Sequence, residues 1–259
     1  MDSKPLYLWS AYPDDLSTES VAEMSLAMLS NDERVHWRSL HFDRDRREYL
    51  ATHALVRTAL SHYYPLAPEA WRFRLNSYGK PFIDPDCGLR FNLSNSLNLV
   101  VCLIGVGTEV GIDLEPYTRA KDILDLAETV FSPIELTQLQ VLRGDMIFDR
   151  ALSLWTLKEA FIKATGIGLS LPLKMVSFLF DGANQIQMVL DPCLCAEPDR
   201  HWRFCLLDYV GHRIALMADQ TSISEVQLWD LQPSLAPPKR LTDIDATWFP
   251  VSYRDESHA

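Results

Sequence analysis

The sequence predicts an α+β fold in which two similar α/β halves form a pseudo-dimer, each half a small, mainly antiparallel sheet packed against a long helix. The content of 47% hydrophobic and 23% charged residues over 259 positions is typical of a globular chain with a real core. At about 150 residues per domain, this length suits one large or two small domains. A long helical pattern also occurs twice, each time ahead of strand-like segments. The predicted parts are an N-terminal half (1–110), a C-terminal half (111–220) and an extended tail (221–259).

The first half begins with helical patterns. Apolar side chains at helical spacing predict a helix over residues 20–30 and a longer one over residues 43–63, which Pro65 ends. An alternating segment predicts a strand at 71–76, and a continuous apolar run predicts a buried strand at 97–106.

The second half follows a similar order. Residues 109–115 alternate like a strand, and residues 123–130 have a helical pattern. Ser132 and Pro133 are typical of a helix start, with Ser as N-cap and Pro at the first helical position. The strongest helical pattern of the chain covers residues 149–165. Four strands are predicted after it, at 174–180, 185–190, 202–209 and 212–218.

The composition excludes several classes of function. The chain has 35 acidic against 24 basic residues, a net charge of −11, which disfavours sequence-independent binding of nucleic acid because that binding needs Lys and Arg to displace counterions. The five cysteines are odd in number and form no C-x-x-C pair, which argues against a disulfide framework and a structural zinc site.

The N-terminal residues and the apolar runs of the sequence indicate the cellular compartment of the protein. Residues 1–10 have neither the basic region nor the long apolar core of a secretory signal. The longest apolar run, around residues 99–106, is too short to span a bilayer. We therefore predict a cytoplasmic protein with neither nucleic acid nor membrane among its partners.

Two carboxylates stand side by side in the segment 111–115. On an extended strand, Asp113 and Glu115 point to the same side, away from Ile112 and Leu114. Two adjacent anions are unfavourable unless a cation lies between them, and hard carboxylate oxygens suit Mg²⁺. The alternative is a solvated strand face, which is the commoner origin of an isolated D-x-E pattern.

The helix predicted over 149–165 carries a matching polar stripe. Trp155, Glu159 and Lys163 are spaced by four and therefore lie on one side of the helix. Glu159 could complete a three-carboxylate metal site with the two strand carboxylates, and Lys163 could neutralise a phosphate one turn further on. The alternative is an exposed Glu159–Lys163 ion pair, worth only about 0.3–0.5 kcal/mol.

A third polar region comes earlier in the sequence. Lys80 lies in the Gly/Pro turn 79–81, which would hold its ammonium for an anion, and the Ser-rich segment 91–96 offers hydroxyl and backbone N–H donors. Turns are commonly rich in such residues, so this region alone specifies no ligand.

In this order and at these intervals, the segments GKPF (79–82), FNLSNS (91–96), GIDLE (111–115) and WTLKEAFIKATGIGLSLP (155–172) resemble the 4′-phosphopantetheinyl transferases. Within that family the chain is most similar to the surfactin-synthetase-activating type, whose single chain holds two related halves. The resemblance covers roughly residues 30–220. It implies transfer of the phosphopantetheine arm of coenzyme A to a serine of an apo carrier protein (acyl, peptidyl or aryl), releasing adenosine 3′,5′-bisphosphate.

The resemblance also implies roles for single residues. Asp113, Glu115 and Glu159 would hold Mg²⁺, with Mn²⁺ as an alternative. Glu159 would also act as general base on the incoming serine, directly or through a water. Lys163 would contact the pyrophosphate, and Lys158 lies beside it in the motif as a further coenzyme A contact.

The first half would supply the remaining contacts to coenzyme A. Lys80 and Ser94 would contact its phosphates, and Arg46 or Arg47 would bind the 3′-phosphate. The family commonly has His where this chain has Asn95, which can donate only a neutral hydrogen bond.

Two other functions stay open at this point. A magnesium-dependent hydrolase of a nucleoside pyrophosphate would need the same carboxylates, with water as the acceptor. A non-catalytic module that binds carrier proteins should tolerate loss of Glu159.

The family type implies a monomer, and Arg119 and Lys121 are predicted to contact the carrier protein.

Overall fold

The structure is a computed structural model that describes residues 4–16, 19–181, 185–191, 200–220, 223–231, 238–244 and 247–253. The chain divides into two compact units, neither of which is continuous in sequence. Unit 1 contains Met1–Ser77, Pro81–Thr108 and Ser224–Asp245. Unit 2 contains Tyr78–Lys80, Glu109–Ile223 and Ala246–Ala259.

Helices and strands occur in both units. In the described residues, the α-helices are α1 (Glu19–Met28), α2 (Asn31–Ser39), α3 (Asp43–Tyr63), α4 (Ala120–Asp125), α5 (Ala127–Val130), α6 (Pro133–Gln140) and α7 (Asp145–Thr165). The strands are β1 (Lys4–Ala11), β2 (Phe73–Leu75), β3 (Pro81–Ile83), β4 (Leu89–Ser96), β5 (Leu99–Val106), β6 (Val110–Pro116), β7 (Val176–Asp181), β8 (Gln185–Leu190), β9 (Trp202–Tyr209), β10 (His212–Asp219), β11 (Ile223–Asp230), β12 (Lys239–Ile244) and β13 (Phe249–Tyr253).

Unit 1 has a five-stranded sheet with the order β12-β11-β1-β5-β4 and the small β2–β3 pair. β5 pairs antiparallel with both β1 and β4, with Trp9 opposite Cys102 and Phe91 opposite Ile104. The 21-residue helix α3 packs on these strands and buries Leu55 completely. The apolar face of α3 and the sheet thus form one core, since apolar surface removed from water is the main stabilising term.

Unit 2 has a six-stranded sheet with the order β6-β10-β9-β13-β8-β7. Neighbouring strands of this sheet pair antiparallel, except that β13 runs parallel to β8. The 21-residue helix α7 packs against β6 and β10. The predicted fold class is therefore confirmed: each unit has a mainly antiparallel sheet and one long helix against it.

Most predicted elements are confirmed, with changed boundaries. The long helix over 43–63 is α3, whereas α7 starts four residues before the predicted 149, directly after Gly144, whose φ is +58°. The predicted helix over 123–130 is two short helices, because the backbone leaves the helical conformation at Leu126.

The segment predicted as an extended tail contains three strands in its described residues. β11 and β12 belong to the sheet of unit 1, and β13 belongs to the sheet of unit 2. None of the helices in the described part of the chain combines the length and apolar character needed to cross a membrane.

Candidate active site

Strand β6 and helix α7 of unit 2 pack at very short distance, and Gly111 permits this. A Cβ atom at Gly111 would lie 2.1 Å from the backbone oxygen of Ala160 and 2.6 Å from the backbone nitrogen of Ala164. Backbone atoms inside a packed helix cannot move aside as a flexible side chain can. Gly111 therefore lets the neighbouring side chains on this side of β6 meet the helix directly.

Asp113 and Glu115 lie on the side of β6 that meets α7. Both residues are buried, with 5% and 6% of their surface exposed. Asp113 Oδ1 accepts a hydrogen bond from Lys163 Nζ at 2.6 Å, and Glu115 Oε1 accepts one from Trp155 Nε1 at 2.8 Å. The structure thus brings the strand carboxylates and the helical stripe together.

Arg119 is a further cation at Glu115. Its Nη1 donates to both carboxylate oxygens of Glu115, each at 2.7 Å. Arg119 lies in the short turn after β6, and 44% of its side chain is exposed. The residue predicted to contact a carrier protein is thus bound to a candidate metal ligand, a link that sequence reasoning missed although the two residues are only four positions apart.

Glu159 lies on the same stripe of α7. Burial is the main cause that raises the pKa of Glu159 to about 7. The negative charges of Asp113 and, less strongly, Glu115 also raise this pKa. The positive charges of Lys163 and, less strongly, Arg119 lower it. The Glu159 carboxyl group is thus within the range of the electrostatic influence of both strand carboxylates. Within the described residues, Glu159 forms no hydrogen bond or ion pair.

The donor chemistry of this cluster fits a hard divalent cation. Asp113, Glu115 and Glu159 offer the carboxylate oxygens that Mg²⁺ prefers, and Lys163 and Arg119 balance part of their charge. In the described residues, no three acidic, His or Cys side chains are already grouped as in a metal site.

Lys158 is not part of this cluster. Its side chain is completely buried and its Nζ lies 2.8 Å from Glu135 Oε2, which is also completely buried. The ammonium also donates to the backbone oxygens of Leu173 and Val176. The structure therefore gives Lys158 a structural role in place of the predicted contact with coenzyme A.

Lys80 belongs to unit 2, and its side chain contacts the C-terminal end of α7. Its Nζ donates to the backbone oxygen of Ala164 at 2.8 Å and to Glu109 Oε2 at 2.9 Å. Sequence reasoning missed Glu109 as a site residue. The signal was present, because Glu109 continues the alternation of Gly111 and Asp113 one step upstream.

The two candidate arginines of unit 1 differ in their surroundings. Arg46 donates from Nε to the backbone oxygen of Leu40 at 2.9 Å and lies over the ring of Trp37. Arg47 lies 3.4 Å from Asp14 Oδ1 and lines a surface recess of about 240 Å³. Arg47, unlike Arg46, is among the residues that line this recess.

Ser94 and Asn95 are neighbours in β4 with different exposure. Ser94 is buried, whereas Asn95 is exposed and its Nδ2 donates to Glu48 Oε1 on α3. Asn95 therefore has a carboxylate partner at the position where the family commonly has His.

Comparison with known proteins supports the motif reading. Residues 109–217 match the 4′-phosphopantetheinyl transferase superfamily. This range includes the described cluster of carboxylates on β6 and α7 together with Lys163.

Three relatives align over most of their own length. A 4′-phosphopantetheinyl transferase of Bacillus subtilis is 30% identical over 209 residues, which cover 79% of this chain and 92% of the relative. The 4′-phosphopantetheinyl transferase Sfp of Bacillus subtilis (strain 168) is 30% identical over 222 residues, or 84% of this chain and 94% of Sfp. The 4′-phosphopantetheinyl transferase gsp of Aneurinibacillus migulanus is 36% identical over 196 residues, or 73% of this chain and 76% of gsp.

Proposed function

Since this chain belongs to the 4′-phosphopantetheinyl transferase superfamily, we propose that its acidic cluster on β6 and α7 is the centre at which coenzyme A is cleaved. The chain is an enzyme that transfers 4′-phosphopantetheine from coenzyme A to apo carrier proteins, with release of adenosine 3′,5′-bisphosphate. The observation that carries the proposal is that Asp113 and Glu115 of β6 make direct hydrogen bonds to Lys163 and Trp155, which lie on the same stripe of α7 as Glu159.

Three carboxylates of the cluster are proposed as the ligands of Mg²⁺ or Mn²⁺. Asp113 and Glu115 are held on buried backbone, so a metal would meet two donors whose positions are already limited. When bound, the ion would offset the negative charge that builds on the leaving bisphosphate.

Glu159 is proposed as the general base for the serine hydroxyl of the carrier protein. Asp113 and Glu115 each accept a hydrogen bond from a cationic side chain, whereas Glu159 has no such bond within the described residues. Its carboxylate is thus the member of the cluster best suited to accept a proton, directly or through a water.

Lys163 is proposed to contact the pyrophosphate of coenzyme A. Its ammonium pairs with Asp113 at 2.6 Å, and 28% of its side chain is exposed. A cation that faces both the carboxylates and solvent can stabilise charge that develops on a phosphate oxygen during transfer.

In unit 1, Arg47 is proposed as the contact for the 3′-phosphate in preference to Arg46. The guanidinium of Arg46 is engaged with a backbone carbonyl and Trp37, whereas Arg47 lines the recess. Further phosphate contacts from Ser94 and Asn95 stay predictions from the family resemblance.

The function is tested by mass spectrometry of an apo carrier protein incubated with coenzyme A and Mg²⁺. The wild type should add one phosphopantetheine group. Asp113→Ala should reduce the initial rate at least about 100-fold because a charge-stabilising group is lost from the reacting centre. Asp122→Ala removes an exposed carboxylate of α4 and serves as the matched control. Chelation of divalent cations should stop the reaction, and full activity in chelator would overturn the metal proposal.

The hydrolase alternative is separated by omitting the carrier protein. A transferase should release almost no adenosine 3′,5′-bisphosphate from coenzyme A alone, whereas a hydrolase should release it at the same rate with or without carrier. Equal rates would reject the serine acceptor.

The assembly and compartment of the enzyme are also proposals. A monomer is expected because one chain carries two related units, and light scattering after gel filtration measures this. The cytoplasmic location follows from the sequence reasoning and is tested by cell fractionation.

A further inference from the structure

The C-terminal end of α7 has an unusual cap. The last carbonyl groups of a helix have no partners within the helix, and a cation there is favoured by the helix dipole. Gly166, in the left-handed conformation, closes the helix by donating to the backbone oxygen of Ile162 at 3.0 Å. Lys80 supplies a second donor, from Nζ to the backbone oxygen of Ala164 at 2.8 Å. A side chain 84 residues earlier in the sequence therefore caps this helix.

Glu109 holds the ammonium of Lys80 at this cap. Its Oε2 lies 2.9 Å from Nζ, and the two side chains are only 15% (Lys80) and 32% (Glu109) exposed. The backbone oxygen of Glu109 accepts a hydrogen bond from the N–H of Asp219 at 3.0 Å, which extends the pairing of β6 with β10 by one residue. The sheet therefore fixes the backbone position from which the Glu109 side chain reaches the lysine.

The turn that carries Lys80 also packs on the segment after α7. Gly79 has a φ of +89°, a conformation that glycine adopts readily. A Cβ atom at Gly168 would lie 3.5 Å from the backbone oxygen of Tyr78, so the backbones of the two segments are close. The position of Lys80 is thus set by backbone packing as well as by its ion pair.

The residue next to the capped carbonyl is Lys163, which pairs with Asp113 at 2.6 Å. A shift of the last turn of α7 would move the Lys163 backbone and change this distance. We propose that Glu109 and Lys80 are a positioning pair that fixes the last turn of α7 and thereby places the Lys163 ammonium, and that this is the role of Lys80 in place of the predicted phosphate contact. This inference rests on the proposed function for its kinetic readout.

The first test measures amide hydrogen exchange of residues 160–168 in the protein without coenzyme A, so it does not depend on activity. Glu109→Gln should speed exchange of this segment about fivefold, because the neutral amide no longer holds the ammonium on the helix end. Lys80→Met should have the same effect. Lys80→Arg should keep the wild-type rate, since a guanidinium can donate to both the carboxylate and the carbonyl.

The second test measures steady-state kinetics of phosphopantetheine transfer with the same variants. Glu109→Gln should lower kcat about three- to tenfold, with the KM for coenzyme A within about twofold of wild type, because the pair places a reacting group without touching the substrate. Lys80→Met should behave alike, and the K80M/E109Q double variant should be no slower than either single variant. Glu128→Gln and Lys174→Met remove exposed charges of unit 2 and are the matched controls.

Two results would overturn the proposal. One is wild-type exchange of residues 160–168 in Glu109→Gln. The other is a large rise in the KM for coenzyme A in Lys80→Met that Glu109→Gln does not share, which would make Lys80 a direct ligand contact. If Glu109→Gln does not fold, the double variant leaves no unpaired charge and tests the same contact. A wild type without transfer activity would reject the proposed function, while the exchange measurement would still decide the positioning role.

Discussion

Neighbouring residues of one motif have different roles because of where they fall around a helix. Successive residues of an α-helix point about 100° apart. Glu159 and Lys163 therefore share the stripe that meets β6, whereas Lys158 points into the protein and pairs with Glu135. Burial lowers the pKa of Lys158, and the charge of Glu135 opposes this effect.

Lys158→Met should lower the free energy of unfolding by about 3–5 kcal/mol, because the Glu135 carboxylate would be left buried without a cation. The K158M/E135Q double variant should regain part of this loss, since it contains no unpaired charge. Urea denaturation measures both. A stable Lys158→Met protein with a raised KM for coenzyme A would contradict the structural role.

A half-buried carboxylate gives the protein a defined response to acid. Burial alone would raise the pKa of Glu33, but the neighbouring His53, a hydrogen bond from the Ser30 backbone N–H and the charge of Arg57 lower this pKa to about 2. Arg57 Nη2 lies 2.7 Å from Glu33 Oε2, and its side chain is 1% exposed.

Because the pKa of Glu33 is lower in the folded state, its stabilising effect is complete above the ordinary value of 4.5 and disappears as the pH falls from 4.5 to about 2. Glu33→Gln should reduce the free energy of unfolding by about 3 kcal/mol at pH 7. The difference from wild type should shrink between pH 4.5 and 2, as measured by urea denaturation at each pH. A difference that is constant over this range would contradict the assignment.

At the level of elements, the contact between β6 and α7 decides the geometry of the active site. The strand β6 supplies two candidate metal carboxylates, and the helix α7 supplies the stripe of side chains that contacts them. Gly111 sets the distance between them, since the helix backbone occupies the space that any larger residue would need.

Gly111→Ala should therefore be much more costly than an ordinary glycine substitution. We expect a loss of more than about 3 kcal/mol, because the added methyl group overlaps backbone atoms of α7. Gly211→Ala is the control: its φ is +74° and a Cβ there would meet nothing within 4 Å, so only backbone strain of about 1–2 kcal/mol is expected. Thermal unfolding compares the two, and equal losses would reject the packing argument.

Helices with a long apolar face were predictable from the sequence, whereas α2, which lacks such a face, was not predicted. α3 and α7 carry long apolar faces, so their periodicity indicates both helices. α2 has no buried residue, so no apolar period reveals it. Its signal is the capping box formed by Ser30 and Glu33, which is a short-range pattern.

Only part of the candidate site could be predicted from the sequence. Alternation along β6 and the spacing of four along α7 show which side chains share a side of one element. They do not show partners that lie on different elements, such as Lys80 with Glu109 or Lys158 with Glu135. Such pairs depend on the packing of segments far apart in sequence, and a single sequence does not reveal them.

At the scale of the whole molecule, the end of the chain completes both sheets. β11 and β12 extend the sheet of unit 1, while β13 lies between β9 and β8 in unit 2. Phe249 of β13 stacks on Phe204 of β9 at a centroid distance of 5.6 Å. Removal of β13 would separate the paired strands β8 and β7 from β9 and the rest of this sheet.

Deletion of residues 246–259 should therefore speed amide exchange in β7 and β8, while β6, β10 and the sheet of unit 1 keep their protection. Deletion of residues 254–259 alone retains β13 and is the matched control. Exchange measured by mass spectrometry distinguishes the two proteins. Unchanged protection of β8 in the longer deletion would show that β13 does not support it.

The division of the chain into interleaved units limits how the protein can be dissected. Unit 2 takes Tyr78–Lys80 from within the sequence of unit 1 and its last strand from beyond the final segment of unit 1. A gene fragment for residues 109–223 would encode all three candidate metal ligands. It would lack Lys80, which caps α7, and β13, which lies between β8 and β9. Halving this enzyme into separately expressed pieces would thus require a rearranged gene or an added peptide to restore what the break removes.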